Sequence, residues 1–189
     1  MWKRIVVLLA AVAMALVGGA AGTALAAVQP SEQDTTWMAA AHQANLAEIA
    51  TGKMAQEKAS SDTVKQLGER FVTDHTKLDQ SLTALAQQLN VTLPGEPNQE
   101  QQAVAQKLQA ASGGEFDRMW VEQQLAAHAK SMQATQQEVD KGELAQVKQA
   151  AEQAMPVIQA HHQALMDAAP DFGVTPQTPG PMTTPRPGQ

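Results

Sequence analysis

Between residues 62 and 90, Val64, Leu67, Phe71, Leu78, Leu82, Leu85 and Leu89 return at steps of three and four, with His75 filling the central step. That spacing is the buried seam of an amphipathic helix. Two later segments repeat it. One places Val121, Leu125, His128, Met132, Thr135 and Val139 on a face of a helix over 115–139. The other places Leu144, Val147, Ala151, Ala154, Ile158, His161, Leu165 and Ala168 on a face of a fourth helix. Of the adjacent His161 and His162 only one can face a core, since neighbours on a helix lie ~100° apart, and the seam selects His161.

The first helix, predicted over 35–60 with its start capped by Asp34, Thr35 or Thr36, has a different face. Met38, Ala41, Ala55 and Ala59 share it with Asn45, Glu48 and Gly52. Small residues let a neighbouring helix come close, and Glu48 on such a face would be costly to bury without a partner. Ser61 and Asp62 open the second helix after a turn of a few residues, and Asp140 to Glu143 make a similar turn before the fourth. Helices joined so tightly are antiparallel neighbours.

Between the two pairs lies a long connection. Pro94, Gly95 and Pro97 stop the second helix, a short amphipathic helix follows over 98–111, and Ser112-Gly113-Gly114 ends it. Two hairpins joined by a long crossover predict an all-α, ferritin-like four-helix bundle over 34–169. Pro156 removes one amide donor from the fourth helix and predicts a kink.

The flanks read differently. Lys3 and Arg4 precede an apolar run from Ile5 to Val17, and Ala24-Leu25-Ala26 offers small residues at the positions a signal peptidase reads. Residues 1–26 are therefore expected to be a Sec-type signal peptide, cut after Ala26 or kept as an anchor. Export to the periplasm, the cell wall or the medium follows. Residues 27–33 are expected to be a disordered lead. Six of the chain's 10 prolines fall in 170–189, which predicts a disordered tail or extended spacer.

Composition narrows the function. The leader holds two of the 13 basic side chains, leaving 11 against 19 acidic ones, so nucleic acid is excluded as a natural partner. There is no Cys, hence neither disulfides nor a lipidated cysteine. Neither a nucleophile motif nor a Gly-rich cofactor loop accompanies the histidines, and no small-molecule substrate is indicated. A non-catalytic protein is the expectation.

The histidines carry the chemistry. Glu48, His75 and His128 each fall within about one residue of the middle of their helices, so side chains from three helices meet at one height. His161 sits about five residues past the middle of its own, or ~7 Å along the axis. Imidazole and carboxylate on facing helices are ligands for a divalent metal such as Fe, Zn, Mn or Cu, and Glu48, His75, His128 and His161 are the predicted set. Asp79, one turn after His75, is expected to ligate or to fix that imidazole from behind. Met132 would suit copper as a soft donor, with gap-filling in the core as its commoner role. Asp74 is read as solvated, and His42 and His162 as surface. The competing reading is an envelope interaction or stress scaffold in which the histidines form a buried network with Glu48, Asp79 or backbone.

Glu48-Ile49 with Gly52, Lys58-Ala59, Asp74-His75-Thr76, Leu93-Pro94, Phe116-Asp117 with His128, and Pro156 followed by His161 together resemble the exported bacterial family catalogued as domain of unknown function 4142. The resemblance spans about residues 34 to 169 and implies a ferritin-like fold in the envelope or outside the cell, with no established activity. No Glu lies three residues before any His, so the di-iron Glu-x-x-His pair is missing.

Overall fold

A computed structural model of the chain describes residues 29–175. The predicted signal peptide, the first two residues of the lead and the tail beyond 175 lie outside that range. Among the described residues there are five α-helices and no strand: α1 Glu32–Lys58, α2 Asp62–Gln88, α3 Gln99–Ala110, α4 Gly113–Lys141 and α5 Ala145–Ala168. A 3₁₀ turn, Ala169–Phe172, closes the domain. None of these helices is long and apolar enough to cross a membrane.

The start of α1 differs from expectation. Ser31, not Asp34, Thr35 or Thr36, is the cap: its hydroxyl accepts from the Asp34 amide, and the Asp34 carboxylate accepts in return from Ser31 N–H. This reciprocal pair satisfies two amides of the first turn, so helix begins inside the expected disordered lead. The far end also extends past residue 169. Phe172 and Val174 pack on the core, and Gly173 adopts the left-handed backbone (φ 66) that ends the turn. The helix α5 continues through Pro156.

Two hairpins, α1–α2 and α4–α5, pack side by side, α1 against α4 and α2 against α5. The α1 and α2 backbones come into close approach at Gly52 and Gly68. A Cβ on Gly68 would lie 2.7 Å from Gly52 O and 2.7 Å from Ala55 Cβ. The stripe of small residues on α1 therefore serves backbone approach.

The crossover runs along the C-terminal part of α1. Glu96 O accepts from Gln43 Nε2 at 3.1 Å near the middle of α1, and Gln109 O accepts from Lys58 Nζ at its end. That travel delivers α4 antiparallel to α1.

Each hairpin turn is then held by a carboxylate from the other hairpin. Asp117 of α4, 2% exposed, accepts from the amides of Ser60 (3.1 Å) and Ser61 (2.9 Å) and from the Ser60 hydroxyl. Asp34 of α1, fully buried, accepts from the amides of Glu143 (3.0 Å) and Leu144 (3.2 Å). Buried backbone amides at helix ends need such partners, and charged acceptors supply strong ones.

Apolar packing forms two clusters. One holds Phe71, Leu108, Phe116, Trp120, Val121, Leu125 and Leu165; the other holds Trp37, Met38, Leu82, Ala86, Val147 and Ala151. Between them lies a layer of buried polar side chains, with Asn45, Glu48 and Thr51 from α1, His75 from α2, Gln124 and His128 from α4, and His161 from α5. The mixed face of α1 is explained by this layer.

Candidate metal centre

Seam positions on three helices put His75, His128 and His161 into the core at 5%, 1% and 0% exposure. Their ring centroids are 5.7 Å (His75–His128), 5.2 Å (His75–His161) and 5.5 Å (His128–His161) apart. One ring nitrogen from each can be chosen so that all three lie within 4.8 Å of one another. The axial offset expected of His161 does not keep it from the group.

Each ring has one nitrogen held from outside. His128 Nδ1 donates to Gln124 O at 2.9 Å, His161 Nε2 donates to Asp74 Oδ2 at 3.0 Å, and His75 Nδ1 donates to Asn45 Oδ1 at 2.9 Å. A carbonyl or carboxylate oxygen can only accept, so each of these nitrogens carries the proton. The remaining nitrogens, His75 Nε2, His128 Nε2 and His161 Nδ1, are buried lone pairs with no hydrogen-bond partner. Burial also favours the uncharged rings. It drives His75 well below the ordinary histidine range and His128 down to about 3. His161 is lowered for the same reason, despite the opposing pull of Asp74.

Phe71 forms one wall of the group. Its ring stacks on His161 at 4.3 Å between centroids and lies 5.0 Å from His128, with Trp120 behind it at 5.5 Å. Trp120 is itself fixed by donating to Thr51 O at 3.0 Å. The site thus rests on rigid aromatic packing.

Other predicted residues fall elsewhere. Glu48 is brought beside the cluster but does not join it. Its Oε1 lies 3.8 Å from His128 Nδ1, the nitrogen that already donates outward, and its Oε2 has no partner. Burial pushes this carboxyl up to about 8, opposed by a hydrogen bond from Gln124. Asp79 does not support His75: it pairs with His42 at 2.7 Å, and both are mostly covered, so His42 is not a free surface residue. Met132 is half-buried and does not line the cavity described next. Asp74, expected in solvent, is the carboxylate behind His161. His162 is half-buried, with its Nδ1 unpartnered.

Asn45, Gln124 and Asp74 are the supporting residues that helical spacing does not single out. Asn45 stands on the Glu48 face, and Gln124 precedes His128 by one turn. Asp74 neighbours His75 in sequence, yet the ~100° step between them turns it toward α5.

A cavity of about 360 Å³, lined by residues of all five helices, borders the layer. Its lining is apolar in greater part, with alanines that include Ala44, Ala47, Ala127 and Ala134; Asn45, Glu48, Gln124, His75 and His128 line it toward the layer, and Lys130 and Glu100, paired with each other, line it toward α3.

An all-α bundle that encloses three convergent imidazoles is the class these features define. The chain matches the family described as Domain of unknown function (DUF4142) over residues 19–168, and it belongs to that family. Among solved structures, a DUF305 protein of Streptomyces coelicolor described as secreted has the same fold. The TM-score is 0.66 at 9% identity, over 78% of this chain and 97% of that one. No curated protein matches the chain.

Proposed function

We propose that the protein is an exported metal-binding bundle that holds one first-row divalent ion through His75 Nε2, His128 Nε2 and His161 Nδ1. The observation that carries this reading is the orientation of the rings. All three present a buried lone pair with no partner, while the opposite nitrogen of each is anchored by an acceptor, the arrangement found behind metal-bound histidine. Bonds near 2.1 Å in tetrahedral geometry place donor nitrogens about 3.4 Å apart, so small side-chain movements suffice. Three protein ligands leave a fourth position open. We read the two hairpins and long crossover as ferritin-like in arrangement, with a mononuclear site in place of a di-iron one. Export rests on the leader-like N-terminus.

Metal content of untagged protein, compared with a His75→Ala, His128→Ala double variant, tests the proposal. About one equivalent in the parent and none in the variant is expected; negligible metal in both sinks it.

The scaffold reading for an envelope partner draws on the same layer, since His75 and His161 do bond to Asn45 and Asp74. It leaves the three inward nitrogens unsatisfied, a cost that metal binding removes. Under it, a chelator leaves the melting temperature unchanged.

A further inference from the structure

The alanine-walled cavity carries a buried acid that the metal proposal does not use. Glu48 is 6% exposed and lines the cavity, and its Oε2 has no hydrogen-bond partner. Among the described residues no Lys or Arg pairs with it. Its one ion-pair neighbour is His128, whose facing nitrogen already donates to Gln124 O. Gln124, the other polar neighbour, divides its amide between Thr51 Oγ1 at 2.9 Å and Glu48, and Oε2 is still left without a partner. A buried carboxyl without a cation or a full set of donors is unfavourable unless a ligand completes it.

The rest of the cavity fits one kind of ligand. About 360 Å³ lies in the size range of small-molecule sites, which are mostly apolar with a few convergent polar groups. Methyl groups of Ala44, Ala47, Ala127 and Ala134 offer contact to a hydrocarbon body and no hydrogen bonds. The acid at the polar part calls for a donor that also brings positive charge. An anionic ligand is disfavoured both by Glu48 and by the chain's formal charge of −6.

We infer that this cavity binds a small primary amine with a compact apolar body, its ammonium paired with Glu48 and its hydrocarbon part against the alanine wall. Phenethylamine is a suitable probe, with phenethyl alcohol and hydrocinnamate as neutral and anionic counterparts of similar shape. Calorimetric titration of the purified protein should show one site for the amine, with affinity for the alcohol lower by roughly tenfold or more and no binding of the acid. Glu48→Gln keeps the shape but cannot ionise to pair with an ammonium, so it should abolish the preference for amine over alcohol. Ala127→Leu should reduce binding of both by filling the space. Where Ala127→Leu fails to fold, Glu48→Gln alone still decides. Equal binding of amine and alcohol, an unaltered preference in Glu48→Gln, or no binding of the amine overturns the inference. Metal content of Glu48→Gln is measured alongside, and a metal-loaded variant without amine preference separates this cavity from the histidine site.

Discussion

Asp74 on α2 and His161 on α5 are joined by a 3.0 Å hydrogen bond that fixes the proton of His161 on Nε2 and leaves its buried Nδ1 as the unpartnered nitrogen. Burial raises the Asp74 carboxyl, but the hydrogen bond from His161, with Lys77 and Arg70 nearby, outweighs it and holds the group below its ordinary value. Asp74→Ala should therefore lower metal affinity by about 10–100-fold, the usual effect of losing the group behind a histidine ligand. Asp74→Asn keeps an acceptor oxygen and should recover much of the loss. Competition titration with a chromophoric chelator measures both. Equal affinity in parent and Asp74→Ala would show that the carboxylate plays no part.

Metal should stabilise the fold by mass action. At free Zn²⁺ about 100 times the dissociation constant, the folded state gains about 2.7 kcal/mol if the ion does not bind the unfolded chain. Thermal melts with Zn²⁺ should rise by several degrees, revert with EDTA, and show no rise in the double histidine variant. A rise of the same size in that variant would place the ion elsewhere.

Gly52→Ala and Gly68→Ala each improve intrinsic helix propensity by about 1 kcal/mol. Each should nonetheless destabilise, because the added methyl meets backbone at 2.8 Å (Gly52) or 2.7 Å (Gly68) across the α1–α2 contact. Overpacking of this kind costs about 1–3 kcal/mol. Gly68→Ala should be the worse, since it also meets Ala55 Cβ at 2.7 Å, whereas Val72 opposite Gly52 can turn its side chain. Urea unfolding distinguishes this outcome from a net gain.

At the opposite end of the bundle, Glu138 is fully buried beside Asp34, with Gln33 donating to its Oε2 at 2.9 Å and Lys148 the nearby cation. Burial first, then the neighbouring Asp34, pushes Glu138 up to about 7, partly offset by Gln33 and Lys148. Its folded-state value is raised, so this group favours folding least once pH has risen from the ordinary carboxylate range through about 7. Glu138→Gln cannot ionise. Relative to the parent, its melting temperature should increase by roughly 2–4 °C between about pH 5 and about pH 8. A pH-independent difference would remove Glu138 from the titration.

The seams of α2, α4 and α5 were legible because apolar periodicity is a property of single helices. So was the height of His75 and His128, which follows from counting along helices of similar length. Glu48 shows where this reasoning stops: a correct height does not say which side of a neighbouring ring a carboxyl will meet. Asp79 and Asp74 met histidines other than the one expected for the same reason, since partner choice depends on rotation between helices. Trp37 and Trp120 were not singled out either, although each anchors the core by donating its indole N–H to α4 or α1. The start of α1 shows a local limit, where four polar residues compete to cap and tertiary contacts of Asp34 favour the Ser31 register.

The exchange of carboxylates between the hairpins bears on how the chain assembles. A hairpin is usually the part of a helical protein most able to form alone, because its contacts are local. Here the α1–α2 turn acquires its buried acceptor only when Asp117 arrives from α4, and the α4–α5 turn only when Asp34 arrives from α1. Neither half is self-sufficient, so the two are coupled into one cooperative unit. The histidine layer, built from residues of both halves, comes into register only as that unit closes.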